Sequence, residues 1–185
     1  MERIEDERLL FFIEHAAQIR QWAALEGEVH DLTDRFLRGM VTRWERQGPA
    51  IDGARHDVSL NDTWPRYDLY RTTWVRDVKP VVAVTLEWNG KRVGLDADAA
   101  PAVGVRIDAG ADAAADLRQP LLNALATHRR ATGGESGKFW LALRRVPPAP
   151  DRPGDLAAFE VRLLAELREE WHATATHIDQ ALPPR

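Results

Sequence analysis

The sequence predicts an α+β fold, with a long N-terminal helix, an antiparallel β-meander of about four or five strands with helices on one face, and a C-terminal helix. Three observations predict this class. Apolar residues recur at steps of three and four up to residue 46, short alternating runs follow between residues 69 and 146, and another helical pattern closes the chain. Steps of three and four mark a buried helical stripe, whereas alternation marks a half-buried strand. The order of elements places the helices on one sheet face.

Residues 4 to 46 contain the longest helical pattern. Its stripe comprises Leu9, Phe12, Ala16, Ile19, Ala23, Val29, Leu32, Phe36, Met40 and Trp44. Gly27 is its one weak point, so we expect one helix of about forty residues, with a kink at Gly27 or a two-helix hairpin as the alternatives. Residues 1–47 are therefore a long helix or helical extension, and residues 48–185 an α+β domain, most simply within one continuous domain. A helix this long extends beyond a small sheet, so part of its stripe needs another partner.

Asn89-Gly90, between two alternating runs, predicts a two-residue β-hairpin with a type I′ turn. Such a turn fixes which residues face each other across the two strands. The expected pairs are Trp88 with Lys91, Leu86 with Val93, Val84 with Leu95, and, on a polar face, Glu87 with Arg92 and Ala83 with Asp96. Residues 103–107 should then form a third strand.

The other elements have shorter signals. Residues 47–66 are predicted as a loop, 69–75 as a strand, 118–130 as a helix and 139–146 as a strand whose residues Phe139, Leu141 and Leu143 face one way. A final helix should begin at Asp155 and bury Leu163, Leu167, Trp171 and Ile178. Thr132–Lys138 (TGGESGK) resembles a phosphate loop, but a helix precedes it and a strand follows it. That order cannot build an anion cradle, so we predict a plain connection.

Composition limits the classes of function. The 185 residues contain no cysteine and have a formal net charge of −4. A disulfide framework, a thiol nucleophile and a cysteine-ligated zinc site are therefore excluded. A general attraction to nucleic acid is not expected. The first residues resemble neither a signal peptide nor a membrane span, so we expect a cytoplasmic protein with no membrane contact.

The polar face of the predicted sheet is the best candidate for chemistry. Glu87, Arg92 and Asp108 would align across three strands, with Asp96 and Arg106 nearby. Carboxylates on a rigid sheet can hold a divalent cation such as Mg²⁺. Glu87, Asp96 and Asp108 are the catalytic candidates under this hypothesis. A solvated face with cross-strand ion pairs is the simpler interpretation, and we favour it. The histidine spacings predict no metal site.

The order of elements in residues 4–146 is similar to the αβββαβ core of the PD-(D/E)XK restriction-endonuclease-like superfamily. That family has an Asp on one meander strand and an acid-x-lysine on the next. Here Asp96 and Asp98 match the first part, but the following strand, AVGVRIDA, has no acid-x-lysine. The resemblance implies a nuclease-like fold with a degenerate site. The same order also resembles small secretion chaperones and toxin-immunity proteins, which implies a non-enzymatic role.

One segment combines aromatic residues and arginines, a composition typical of interface hot spots. It comprises Trp64, Arg66, Tyr67, Tyr70, Arg71, Trp74 and Arg76. Packing against a sheet edge would explain the same composition. We predict a non-catalytic accessory protein without a cofactor, which self-associates or binds a protein partner through the long helix and this segment. The alternative is a nucleic-acid-binding or nuclease-like protein, which is less favoured because Asp62, Asp68 and Asp77 interrupt the positive charge.

Overall fold

The computed structural model describes residues 6–48, 51–94, 97–107, 112–150 and 152–183, and it confirms the α+β class. The helices are α1 (Glu7–Gln47), α2 (Asp112–Ala124), α3 (Ala126–Thr132) and α4 (Leu156–Ala181). The strands are β1 (Arg55–Ser59), β2 (Arg66–Tyr70), β3 (Val75–Arg76), β4 (Lys79–Pro80), β5 (Val82–Glu87), β6 (Ala102–Ile107) and β7 (Trp140–Arg145).

The main sheet has five strands in the order β1-β2-β5-β6-β7, and each neighbouring pair is antiparallel. One face is apolar, because Leu69, Val84 and Val105 lie side by side across β2, β5 and β6. Helix α4 packs on this face and, as predicted, buries Leu163, Leu167, Trp171 and Ile178. The opposite face of the sheet is polar.

Helix α1 is continuous over 41 residues and passes through Gly27, as the periodicity predicts. Asp6 caps it by accepting hydrogen bonds from the backbone N–H groups of Arg8 and Leu9. Its buried residues all lie in the last 15 residues: Thr33, Leu37, Met40, Val41 and Trp44. The predicted stripe is wrong at Leu32, which is 58% exposed, because the body of the protein covers a neighbouring face of the helix. Residues 7–28, which bury no side chain, are called the overhang.

The predicted hairpin at Asn89-Gly90 is wrong. Strand β5 pairs directly with β6, so that Val84 faces Val105 and Leu86 faces Val103. Neither Asn89 nor Gly90 has a positive φ, which a type I′ turn requires. Instead, the Asn89 carbonyl accepts hydrogen bonds from the N–H groups of Arg92 and Val93 and forms a helical turn. The expected partners Leu95 and Asp96 lie outside the described residues.

Contacts with α1 explain why residues 88–94 form no strand. The Trp88 Nε1–H donates to Asp34 at 2.7 Å, and His30 Nδ1 lies 2.9 Å from the Val93 carbonyl oxygen. The Gly90 N–H donates to the Thr63 carbonyl at 3.0 Å. These contacts hold the segment between the helix and the loop before β2. Tertiary contacts therefore override the local turn preference.

A two-residue turn with positive φ does occur, but elsewhere in the chain. Asp77 and Val78 have φ values of 45° and 71° and connect β3 to β4. The sequence does not predict this turn, because a β-branched residue is strongly disfavoured at positive φ. The hairpin extends from the 3₁₀ turn Thr72–Trp74 that follows β2. The strand predicted over residues 69–75 is therefore wrong at residues 71–74, which separate the end of β2 from Val75 in β3.

Three smaller predictions also need correction. Strand β1 lies within the segment predicted as a loop. The helix predicted over 118–130 starts at Asp112, contains Pro120 and divides into two at Leu125. A bulge beside Val105 and Arg106 shifts the register of β7, so Leu141 lies in the core while Leu143 lies on the polar sheet face. The connection at Thr132–Lys138 lies between α3 and β7, as expected, with a helix before it and a strand after it.

Candidate functional site: the polar sheet face

The polar face of the sheet is built from two rows of side chains. The register places Arg66, Glu87, Ala102 and Arg145 in one row across four strands. The next row comprises Asp68, Thr85, Gly104 and Leu143. Because alternate residues of each strand face the same way, charged groups from distant parts of the sequence meet here.

Two adjoining cavities, of about 430 and 500 Å³, lie on this face and share Arg66 and Arg106. Together they form the sheet groove. Its aromatic half is lined by Trp64, Glu87, Phe139, Trp140, Leu143 and Arg145. Its polar half is lined by Asp57, Ser59, Asp68, Tyr70 and Lys79. The volumes fall within the roughly 300–1,000 Å³ typical of small-molecule sites.

Asp68 is a structural carboxylate. Arg66 Nε donates to one of its oxygens at 2.7 Å, and the Thr85 hydroxyl donates to the other at 2.6 Å. Asp68 is only 5% exposed, so both hydrogen bonds are shielded from water. Buried carboxylates need such partners. Asp68 therefore fixes Arg66 at the junction of the two halves and has no oxygen left without a hydrogen bond.

Glu87 is held differently. Its side chain is only 12% exposed, and its nearest cation, Arg106 Nε, lies 3.6 Å from Oε2, beyond hydrogen-bond distance. Arg106 Nε is buried and has no hydrogen-bond partner among the described residues. Burial raises the pKa of the Glu87 carboxyl, and the attraction of Arg106 and Arg66 offsets only part of this effect. Glu87 and Arg106 are thus close together but loosely engaged.

Gly104 allows the Arg106 side chain to approach Glu87. It lies between Ala102 and Arg106 on the same face of β6, so no side chain blocks Arg106 from reaching toward Glu87. A Cβ atom at Gly104 would collide with the backbone of Ala142 on β7, where the strands approach closely. Only glycine fits at this position.

Positive charge collects at the aromatic end of the groove. The Arg106 guanidinium lies 5.4 Å from the centre of the Phe139 ring, and Lys138 Nζ lies 5.1 Å from the same ring. Arg145 donates to the Ala100 carbonyl at 2.9 Å. Within the described part of the chain, neither Lys138 nor Arg145 forms an ion pair with a carboxylate. The groove therefore has positive charge available for an anion.

Of the three catalytic candidates, only Glu87 can be placed. Asp96 and Asp108 lie outside the described residues. The predicted pairing of Glu87 with Arg92 is wrong, because Arg92 lies in the turn after β5 and Arg106 takes its place beside the carboxyl. The described residues contain no cluster of three side chains suited to a metal ion. Catalysis with Mg²⁺ stays a prediction.

The structure divides the predicted binding segment into three groups. Trp64, Arg66 and Tyr70 line the groove. Tyr67 and Trp74 are 1% and 0% exposed and belong to the core.

Arg71 and Arg76 lie elsewhere. Arg71 forms an ion pair with Asp179 on α4, which also accepts a hydrogen bond from the indole of Trp74. Arg76 donates to the backbone carbonyls of Thr73, Val75 and Pro183. The segment is therefore not one continuous surface. Sequence reasoning missed Phe139, Trp140 and Arg145, because the bulge in β7 decides which of its side chains face the groove.

The overhang of α1 is the second unusual surface. Eight large hydrophobic side chains of α1 are 46–61% exposed: Leu9, Leu10, Phe11, Phe12, Ile13, Trp22, Leu25 and Leu32. At about 1.5 Å per residue, the overhang is roughly 33 Å long. Single exposed hydrophobics are normal on a protein surface, whereas large exposed apolar patches are typical of interaction sites.

None of the helices in the described ranges is both long enough and apolar enough to cross a membrane.

Comparison of the chain with protein-family profiles, with curated proteins and with solved structures finds no match in any of the three.

Proposed function

We propose that the protein acts through association, and that the overhang of α1 pairs with the overhang of a second copy of the chain. The observation that carries this proposal is the exposed apolar surface of the overhang. A helix that is apolar on several sides is normally covered by other protein. Nothing in the described part of the chain covers residues 7–28.

The size of the exposed surface supports a stable interface. Seven of the exposed hydrophobic side chains lie in the overhang, each about half exposed, and leave on the order of 700 Å² per chain for contact, close to the ~800 Å² per partner of a standard interface. Aromatic side chains, which dominate interface energies, supply three of these seven: Phe11, Phe12 and Trp22.

The spacing of the apolar residues supports pairing between identical helices. Leu9, Phe12, Ala16, Ile19 and Ala23 follow one another at alternating steps of three and four. This is the repeat of a coiled-coil seam. Two copies carry the same seam, so a two-fold symmetric pair can bury both. Ile13 and Trp22 flank the seam on its two sides and favour contact with further helices.

Light scattering of the wild type and of the double variant Phe12→Glu, Ile19→Glu tests the proposal. The wild type should be a dimer or larger. Two charges in the seam should weaken association by at least about 100-fold, since each buried apolar side chain contributes roughly 1.5–3 kcal/mol. The unfolding transition of the remaining protein should persist, because the overhang contributes no buried residue.

Val161→Glu is the matched control. Val161 is 69% exposed on α4, outside the overhang, and its variant should associate like the wild type. A wild type that is monomeric at high micromolar concentration would contradict self-association. If that monomer still retained another protein through the overhang, partner binding would replace pairing between copies as the function.

A further inference from the structure

We propose that the aromatic half of the sheet groove binds a small aromatic anion, a planar ring bearing a carboxylate or a phosphate, and that this anion takes Arg106 away from Glu87. This site is separate from the overhang and does not depend on association.

The walls of the cavity suit a planar ring. Trp64 and Phe139 are 44% and 40% exposed, although both line a concave space of about 430 Å³. Ala102 and Leu143 give the cavity apolar surface. Trp64 offers its ring for stacking, while Phe139, which has Arg106 and Lys138 over its ring, forms part of the apolar wall. The space is large enough for one substituted ring and small for a polymer.

The charges suit an anion. Three arginines line this half, namely Arg66, Arg106 and Arg145, and Glu87 is the single carboxylate among its described lining residues. Arg66 is neutralised by Asp68. Arg145 forms no ion pair within the described residues, and the buried Nε of Arg106 has no hydrogen-bond partner there. Guanidinium groups bind carboxylates and phosphates through paired hydrogen bonds.

Binding at Arg106 should change the protonation of Glu87. The charged groups that face Glu87 are Arg66 and Asp68 on β2, Arg106 on β6 and Arg145 on β7. An anion bound to Arg106 weakens the attraction that stabilises the Glu87 carboxylate, and it adds a nearby negative charge. Both effects favour the neutral carboxyl, whose pKa burial already raises in the free protein. The protein should therefore take up a proton as the anion binds, and affinity should fall as pH rises.

Calorimetric titration with benzoate and with phenyl phosphate is the test. The ligand that binds more tightly shows whether the site prefers a carboxylate or a phosphate. Inorganic phosphate provides the charge without the ring, and benzyl alcohol provides the ring without the charge. Inorganic phosphate and benzyl alcohol should each bind at least roughly tenfold more weakly than benzoate and phenyl phosphate, since each lacks either the ring or the charge. Arg106→Gln should weaken benzoate and phenyl phosphate binding by roughly 10- to 100-fold, because it removes a charge-assisted contact. Arg130→Gln, an exposed arginine on α3, is the matched control and should bind as the wild type does.

Glu87→Gln tests whether the anion takes Arg106 away from Glu87, as distinct from being attracted by the arginines alone. This variant should bind the aromatic anion more tightly than the wild type above neutral pH, and proton uptake, measured in buffers of different ionisation enthalpy, should disappear. Glu169→Gln, an exposed carboxyl on α4, should change neither quantity. The proposal is overturned if neither probe binds at millimolar concentration, or if Glu87→Gln leaves proton uptake intact. Tighter binding of an oligonucleotide, with a steep dependence on salt, would assign the groove to nucleic acid and also overturn it.

Discussion

Glu87 shows how the environment of one residue departs from what its sequence neighbours suggest. An alternating strand beside Arg92 predicts a solvated ion pair. The register instead places Glu87 between Arg66 and Ala102, in a concave part of the sheet. There the loss of hydration outweighs the attraction of Arg106 and Arg66, and the pKa of the carboxyl rises. Ionisation of the Glu87 carboxyl therefore lowers the stability of the folded protein.

This cost gives a prediction for the pH dependence of folding. Between the ordinary pKa of a carboxyl and the raised pKa of Glu87, the folded protein holds more protons than the unfolded chain. The contribution of Glu87 to the free energy of unfolding is therefore largest below the ordinary pKa and falls as pH rises through the raised one. Glu87→Gln removes this dependence.

Urea unfolding of both proteins from about pH 4 to pH 8 measures the effect, since the carboxyl range lies at its lower end. The stability of Glu87→Gln relative to the wild type should increase with pH and then level off. Glu169→Gln provides the comparison for an exposed carboxyl. A difference that decreased with pH would show that the arginines stabilise the charged form more than burial opposes it.

Some of the individual residues that line the sheet groove could be predicted from the sequence. The sequence indicates Glu87, Arg106, Trp64 and Arg66 as site residues, and the structure brings all four to the groove. Phe139, Trp140 and Arg145 were not, because a bulge changes which face each residue of β7 occupies. A bulge depends on how two strands pair, and alternation within a single strand does not encode it.

The β3–β4 hairpin is the element in which local sequence and local structure disagree most. Val78 is 93% exposed and has a φ of 71°, a conformation that β-branched residues rarely adopt. Since the side chain packs against nothing in return, the backbone strain has no compensation at this position. Such strain costs on the order of 1–3 kcal/mol.

Val78→Gly should therefore stabilise the protein, by roughly 1 kcal/mol once the greater freedom of glycine in the unfolded chain is included. The variant creates Asp-Gly, a preferred pair for a type I′ turn. Thermal unfolding measures the gain. Val161→Gly is the control, because Val161 is also exposed but lies in α4, where glycine should destabilise by a few tenths to about 1 kcal/mol. A loss of stability in Val78→Gly would show that the side chain has a contact in solution.

The elements themselves were predictable in proportion to their length. Helices α1 and α4 run for 41 and 26 residues, and their periodicity extends over many turns. The Asn89-Gly90 turn is a two-residue signal, and contacts of Trp88 and Val93 with α1 outweigh it. Strand β1 has only five residues with little apolar content, so nothing in its sequence distinguishes it from a loop.

The described part of the molecule consists of a packed body and an overhang. The last third of α1 packs in the core of the body through Leu37, Met40 and Val41. Among the described residues, the hydrogen bond between α1 and the body that lies nearest the start of the helix joins His30 to the Val93 carbonyl. The division therefore falls near residue 28.

Removal of residues 1–28 tests this division. The shortened chain should keep the free energy of unfolding to within about 1 kcal/mol at low protein concentration, because the overhang buries no side chain against the body and an exposed helix adds little. It should also be monomeric. Urea unfolding and light scattering measure the two quantities. A large loss of stability would show that the overhang packs on the body in solution.

The overhang also has a consequence for how the chain is made. Residues 9–25 leave the ribosome before any strand of the sheet exists, so their apolar side chains emerge before the sheet. The roughly 120 residues from Leu25 to the end of β7 take on the order of 10 s to synthesise at roughly 5–20 residues per second. Neighbouring ribosomes on one messenger RNA expose the same segment at the same time. The pairing that we propose for α1 can therefore begin between nascent chains, before either sheet has formed.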